Sequence, residues 1–234
     1  MKKKIARYTL LLIGIISGFS TTASAQKKVS LQLQETTPKQ KFYQGSSIGW
    51  GVEGLIGKAL GSPIFNTEVQ WQVNLKNRFL PVVEAGIGST NTVNEETQLL
   101  YKAKAPYIRI GADYNFMYKK AHLPGFLYGG LRIGASSFSY DVEGPTLIDP
   151  HYGKTTSIPI SYQGISTTAL WTEVVLGLRT KVYKNFAMGW SVRYKKKLST
   201  VEKQGIAPWY IPGFGKNGSS SFNFTYSFIY YLPF

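Results

Sequence analysis

Two histidines, twelve acids and no cysteine bound the chemistry open to this 234-residue chain. Without a thiol there is no disulfide, no thiol nucleophile, no cysteine zinc site and no cysteine lipid anchor. His122 and His151 fall in different connecting segments. Neither has a second ligand at metal-binding spacing. Asp149-Pro150-His151 holds the one acid–histidine pair close in sequence, but Asp-Pro is first of all a turn signal. Gly54-Leu55-Ile56-Gly57-Lys58 matches a phosphate loop only in part. It lacks the spacing and the hydroxyl residue after the lysine, and it reads as part of a strand. Asn217-Gly218-Ser219 and Asn223-Phe224-Thr225 have the form of glycosylation acceptors, the second within a strand pattern. No catalytic residue, metal or cofactor is assigned on these grounds.

The remaining charges are more telling. Glu53, Glu68, Glu84, Asp113 and Glu173, with Arg109, Arg132, Arg179, Arg193, Lys181 and Lys195, recur on one side of segments that alternate with period two. Acids and bases in near-equal number on one face are what a buried, ion-paired interior requires, because a buried charge is tolerated only when paired and hydrogen-bonded.

The elements that would carry these charges are strands. Tyr (16), Phe (13), Trp (5) and Gly (24) weight the composition toward curved sheet. Alternation is cleanest where Ile108, Ile110, Ala112, Tyr114, Phe116 and Tyr118 oppose Tyr107, Arg109, Gly111, Asp113 and Asn115. The same pattern sets Val69, Trp71, Val73 and Leu75 against Glu68, Gln70, Gln72 and Asn74. It recurs around Phe79–Gly88, Leu170–Lys181, Phe186–Lys195 and Phe222–Phe234. A first strand runs from Ile48 to Gly57, and a fifth spans about Phe126–Tyr140, with a phase shift expected at its far end. That makes eight.

The connections alternate in length. Lys76-Asn77-Arg78, Lys119–Gly125 and Tyr183-Lys184-Asn185 are short. Ser89–Pro106, Asp141–Thr168 and Thr200–Ser219 are long, whereas the first connection, near Leu60–Phe65, is short. Short turns at one end and longer loops at the other are the layout of outer-membrane barrels.

Targeting agrees. Lys2, Lys3, Lys4 and Arg7 precede an apolar run from Leu10 to Phe19 and the small-x-small sequence Ala23-Ser24-Ala25. This is the form of a cleaved secretory signal over residues 1–25. Its removal takes the net charge from +15 to +11. Residues 26–44 read as a flexible periplasmic lead-in and 45–234 as the barrel. Export makes nucleic acid an unsuitable counter-charge, and phosphate-rich lipopolysaccharide a suitable one.

Alternation does not say which face is inside. A soluble, lipocalin-like periplasmic carrier buries the apolar face; a membrane barrel buries the polar one. Volume favours the second, because an eight-stranded interior holds only side chains and the large aromatics of the apolar face would overfill it. Aromatic placement also favours it. Trp50, Phe79, Phe116, Tyr118, Phe186, Tyr230 and Phe234 are predicted to form one girdle at the periplasmic interface. The expected fold is an all-β, eight-stranded antiparallel up-and-down transmembrane β-barrel. Its interior charge network would be Glu53, Glu68, Glu84, Arg109, Asp113, Arg132, Glu173, Arg179 and Arg193.

In its last strand, Tyr226, Phe228, Tyr230, Leu232 and Phe234 alternate and end on an aromatic residue. In this, and in architecture over roughly residues 46–234, the chain resembles the small outer-membrane barrels of the OmpX and OmpA-barrel type. The resemblance implies an outer-membrane location and recognition of the last strand by the barrel-assembly machinery. Among the loops, Pro208-Trp209-Tyr210-Ile211-Pro212-Gly213-Phe214-Gly215 is unusually apolar. Trp209, Tyr210 and Phe214 are therefore candidates for contact with a partner, or for folding down over the barrel rim. The functional expectation is a non-enzymatic barrel that makes surface contacts or docks in an envelope assembly. The alternatives are a lipid-modifying enzyme using His151 and Asp149, a narrow pore, and the soluble carrier.

Overall fold

The computed structural model describes residues 41–93, 98–120, 122–145, 147–148, 157–158, 161–201 and 207–233. The expected signal segment, most of the expected lead-in, Asp149, His151 and Phe234 lie outside the described residues.

Eight long antiparallel strands close on themselves. In chain order they are β1 (Tyr43–Gly51), β2 (Ile64–Leu75), β3 (Phe79–Val93), β4 (Leu100–Asn115), β5 (Gly125–Glu143), β8 (Ser161–Tyr183), β9 (Phe186–Thr200) and β12 (Ser220–Tyr231). Each pairs with its sequence neighbours, and β12 returns to β1, so the barrel is up-and-down, as the alternation predicts. Two small hairpins decorate the long-loop end: β6 (Leu147–Ile148) with β7 (Ser157–Ile158), and β10 (Tyr210–Ile211) with β11 (Gly215–Lys216).

The polarity is inside-out. Val69, Ile110, Leu131, Val174, Leu176 and Phe224 are exposed on the outer wall, while Glu84, Arg109, Arg132, Glu173 and Arg193 are buried in the lumen. Large inward rings fit because glycines face them. A Cβ on Gly86 would lie 2.4 Å from the Tyr107 ring, and one on Gly134 would lie 2.3 Å from that of Trp171.

The short turns follow from local chemistry. Lys76 and Asn77 both take positive φ (52° and 55°), and the Arg78 amide donates to the Leu75 carbonyl (3.0 Å). Two left-handed residues make a turn whose twist matches that of the flanking strands. At the same end Arg78 stacks among Phe79, Tyr114 and Tyr118 and donates from Nε to the Tyr114 hydroxyl (3.0 Å). Phe186 packs edge-on against Tyr230.

The structure departs from the sequence expectations in three places. The first strand ends at Gly51, and Glu53–Ala59 is a seven-residue helix, α1. The Gly54–Lys58 segment is therefore helical, and Trp50 sits at the long-loop end of β1, away from the girdle expected at the other end. The helix is set by close packing, since a Cβ on Gly54 would overlap the Asn66 backbone. Glu53 in its first turn and Lys58 in its last also suit its dipole.

Second, the strands are longer than expected. Most of the expected loop Ser89–Pro106 is the continuation of β3 and β4, and β8 is 23 residues long. Third, β5 keeps one phase from Tyr128 to Tyr140, all inward at even positions; what changes along it is polarity, not phase. The irregularity comes later, between Tyr140 and Val142, where Gly164 (φ 67°) donates its amide to Asp141 Oδ1 (2.7 Å).

Because α1 replaces the end of β1, the β1–β12 ladder runs only from Ser47 with Tyr231 to Gly51 with Ser227. One further bond caps each end, from the Val52 amide to the Tyr226 carbonyl (3.0 Å) and from the Leu232 amide to the Ser46 carbonyl (2.9 Å).

Candidate functional site

The lumen has two tiers. In the lower tier, side chains from β2, β3, β4, β5, β8 and β9 converge on a buried ion cluster. Glu84, fully buried, sits at its centre. It accepts hydrogen bonds from Arg132 Nε (3.2 Å) and Arg193 Nη1 (2.7 Å), and Arg109 Nε lies 2.9 Å away as an ion pair. Glu68 bridges Arg109 and Arg193, and Glu173 bridges the same two. Asp113 holds Arg132 through both guanidinium amines and also accepts from Gln72 Nε2 (2.7 Å).

Seven residues of the expected network are thus brought together: Glu68, Glu84, Arg109, Asp113, Arg132, Glu173 and Arg193. Two are not. Glu53 belongs to α1, with its Oε2 over Gly51. Arg179 lies nearer the short-turn end, against the rings of Phe126 and Tyr128.

The upper tier is apolar. Tyr101, Ala103, Ala105 and Tyr107 of β4, Phe138, Tyr140 and Val142 of β5, and Ile165, Ala169 and Trp171 of β8 form a core. Into it folds the β10–β11 hairpin. Tyr210 (0 % exposed) and Phe214 (1 %) are buried in the barrel mouth, and Trp209 packs beside them. Of the two expectations for this run, contact with a partner or folding over the rim, the burial of Tyr210 and Phe214 matches the second. Strand side chains grip the hairpin backbone. Lys195 Nζ donates to the Gly213 carbonyl (2.6 Å), and the Tyr101 hydroxyl to the Tyr210 carbonyl (3.2 Å). The Tyr210 hydroxyl donates to Asn66 Oδ1 (2.5 Å).

Two rings tie the tiers together. The Tyr107 hydroxyl donates to Glu68 Oε2 (3.0 Å), and Trp171 Nε1 to Glu173 Oε1 (2.7 Å). Sequence reasoning passed over Trp171. Its signal was an inward position two residues before Glu173.

At the hairpin, burial pushes the Tyr210 phenol well above its ordinary range, against the opposing hydrogen bond to Asn66. Burial likewise raises the Glu53 carboxyl. With a charge cluster below and a bonded hairpin above, the lumen is filled rather than open. His122 is exposed in a connecting turn. Among the described residues no group of three or more metal-ligating acids or histidines comes together.

A family model covers this architecture from end to end, matching residues 5–234. The chain belongs to the family described as "Domain of unknown function (DUF6048)". No curated protein matches. Among solved structures, this chain is similar to Neisserial surface protein A, at 16 % identity and a TM-score of 0.44, covering 81 % of this chain and 96 % of that one. It is also similar to Ail, the attachment invasion locus protein of Yersinia pestis, solved with the heparin analogue sucrose octasulfate. That match has 12 % identity and a TM-score of 0.41, and covers 80 % of this chain and 98 % of that one.

Proposed function

We propose that this DUF6048 chain is an integral outer-membrane barrel, exported by a cleaved signal, that works without catalysis by presenting a rigid wall at the cell surface. The observation that carries the reading is the inside-out polarity: an apolar outer wall around buried, mutually paired charges. Only a hydrocarbon surround favours that arrangement over its inverse.

A bilayer needs about 9–11 residues of each tilted strand. β5 has 19 residues and β8 has 23. Their surplus, at about 3.3 Å per residue and the usual tilt, forms a ridge roughly 20–30 Å beyond the lipid. With the Pro208–Gly215 run folded inward, this ridge, bearing exposed Tyr162, is the surface offered for contact. A cavity of about 690 Å³ on the wall near this end is lined by Lys58, Lys102 and Lys104. It supports lipopolysaccharide phosphate as a partner. The outward rings of β12, Phe222, Phe224 and Phe228, suit recognition by the barrel-assembly machinery. The filled lumen disfavours the pore.

The test is fractionation with heat-modifiability. Protein in the outer-membrane fraction, migrating differently before and after boiling and giving no stable conductance in planar bilayers, is the expected result. Soluble periplasmic protein with no mobility shift would refute the proposal.

A further inference from the structure

The short-turn mouth of the barrel holds a cavity of about 560 Å³. Arg179 lines it at 2 % exposure, yet among the described residues it forms no ion pair or hydrogen bond; its neighbours are the faces of Phe126 and Tyr128. Lys181, two residues on, lines it too. Among the described residues no carboxylate side chain lines the cavity. Asp113, on a nearby wall, is committed to Arg132 and Gln72. A buried guanidinium without a counter-ion is strongly unfavourable, and its planar fork of donors fits an oxyanion.

Two further groups narrow the oxyanion. Gln72 and Asn74 line the same cavity, and their side-chain oxygens Oε1 and Oδ1 are buried with no donor among the described residues. The Gln72 amide cannot be turned over, because its Nε2 donates to Asp113. A site with cationic donors and two idle acceptors calls for an anion that carries its own O–H.

We propose that this cavity binds a phosphate group, with Arg179 and Lys181 facing its oxygens and Gln72 and Asn74 accepting from its hydroxyl. Sulfate, which has no proton at neutral pH, leaves those acceptors idle and binds more weakly.

The experiment is calorimetric titration of the detergent-solubilised full chain, at constant ionic strength, with inorganic phosphate, glycerol phosphate and sulfate. Saturable binding of inorganic phosphate, at least tenfold weaker for sulfate, is expected. Equal affinity for glycerol phosphate identifies esterified phosphate as an acceptable source; its exclusion identifies the free anion. Arg179→Gln loses binding by tenfold or more, and Lys181→Gln weakens it several-fold. Without phosphate, Arg179→Gln melts no lower than the unmodified chain, because no partner is stranded; an arginine with a purely structural role would lower it. Absence of saturable phosphate binding, or unchanged binding in Arg179→Gln, overturns the proposal.

Discussion

Replacing Glu84 with glutamine keeps the volume of the side chain and removes the one charge that three guanidiniums share. Arg109, Arg132 and Arg193 all reach it within 3.2 Å. After the change they retain Glu68, Glu173 and Asp113, so the loss is less than three separate pairs. Breaking a buried pair while leaving its partner in place costs about 3–5 kcal/mol. With a denaturant slope of about 1–3 kcal/mol per molar, the urea midpoint should fall by about 1 M or more. Unfolding is read in detergent by the gel mobility of unboiled samples across a urea series. Glu84→Gln combined with Arg193→Met should cost less than the sum of the two single changes, since contacting sites are not additive. A Glu84→Gln unfolding free energy unchanged within about 0.5 kcal/mol, the usual scatter for an unimportant site, would mean that water already solvates these charges. The filled lumen would then be wrong.

Two more perturbations probe the upper tier. Gly213 has φ 80°, and a Cβ there would lie 2.5 Å from the Tyr107 ring. Gly213→Ala should therefore unseat the hairpin, and amide exchange over residues 208–216 should accelerate at least tenfold while β8 and β9 keep their protection. Equal protection would show that the hairpin tolerates the change in place. Glu53 tests pH. Burial raises its carboxyl above the ordinary 4.5, against its own backbone hydrogen bond and the pull of Arg193, Arg109 and Lys195. A raised folded value favours the protonated form, so its contribution is present below about 4.5 and is lost as pH climbs through the raised value. Glu53→Gln should flatten that part of the melting-temperature profile; an unchanged slope would assign it to other groups.

The lower walls of the strands were legible because an apolar outer face and charge inside give each a clean alternation. Arg109 between Ile108 and Ile110 states both faces at once. The upper walls were not, because above the ion cluster the code reverses. Tyr101, Ala103, Ala105 and Tyr107 point inward while Lys102 and Lys104 point out to water. The backbone phase is unbroken, but the apolar residues change sides near Ile108, and the reversed stretch looks like polar loop. The helix α1 was hidden for a different reason. Gly51, Val52, Glu53, Gly54 and Leu55 have no helical stripe, and only the approach of Asn66 to Gly54 explains the turn of the chain. The ion cluster was legible as an inventory of charges on one face. Its pairing scheme, centred on Glu84, depends on registers across six strands that no local pattern states.

The brevity of the β1–β12 ladder bears on how the cylinder is made and how it fluctuates. Every other wall is a hairpin whose strands are joined by a turn or loop and can zip as soon as they meet. The last wall joins Ser47 to Tyr231, the two ends of the sheet, along a track that stops at Gly51. Beyond it, β12 from Ser220 to Phe224 pairs with β9 on one side and with no strand of β1 on the other. Lipid offers no substitute for missing ladder bonds, so the seam is the segment whose rupture exposes the fewest of them. The molecule thus has a built-in line of weakness. It is the last wall to form when the sheet curls shut, and the first through which a neighbouring strand in the membrane would find an edge.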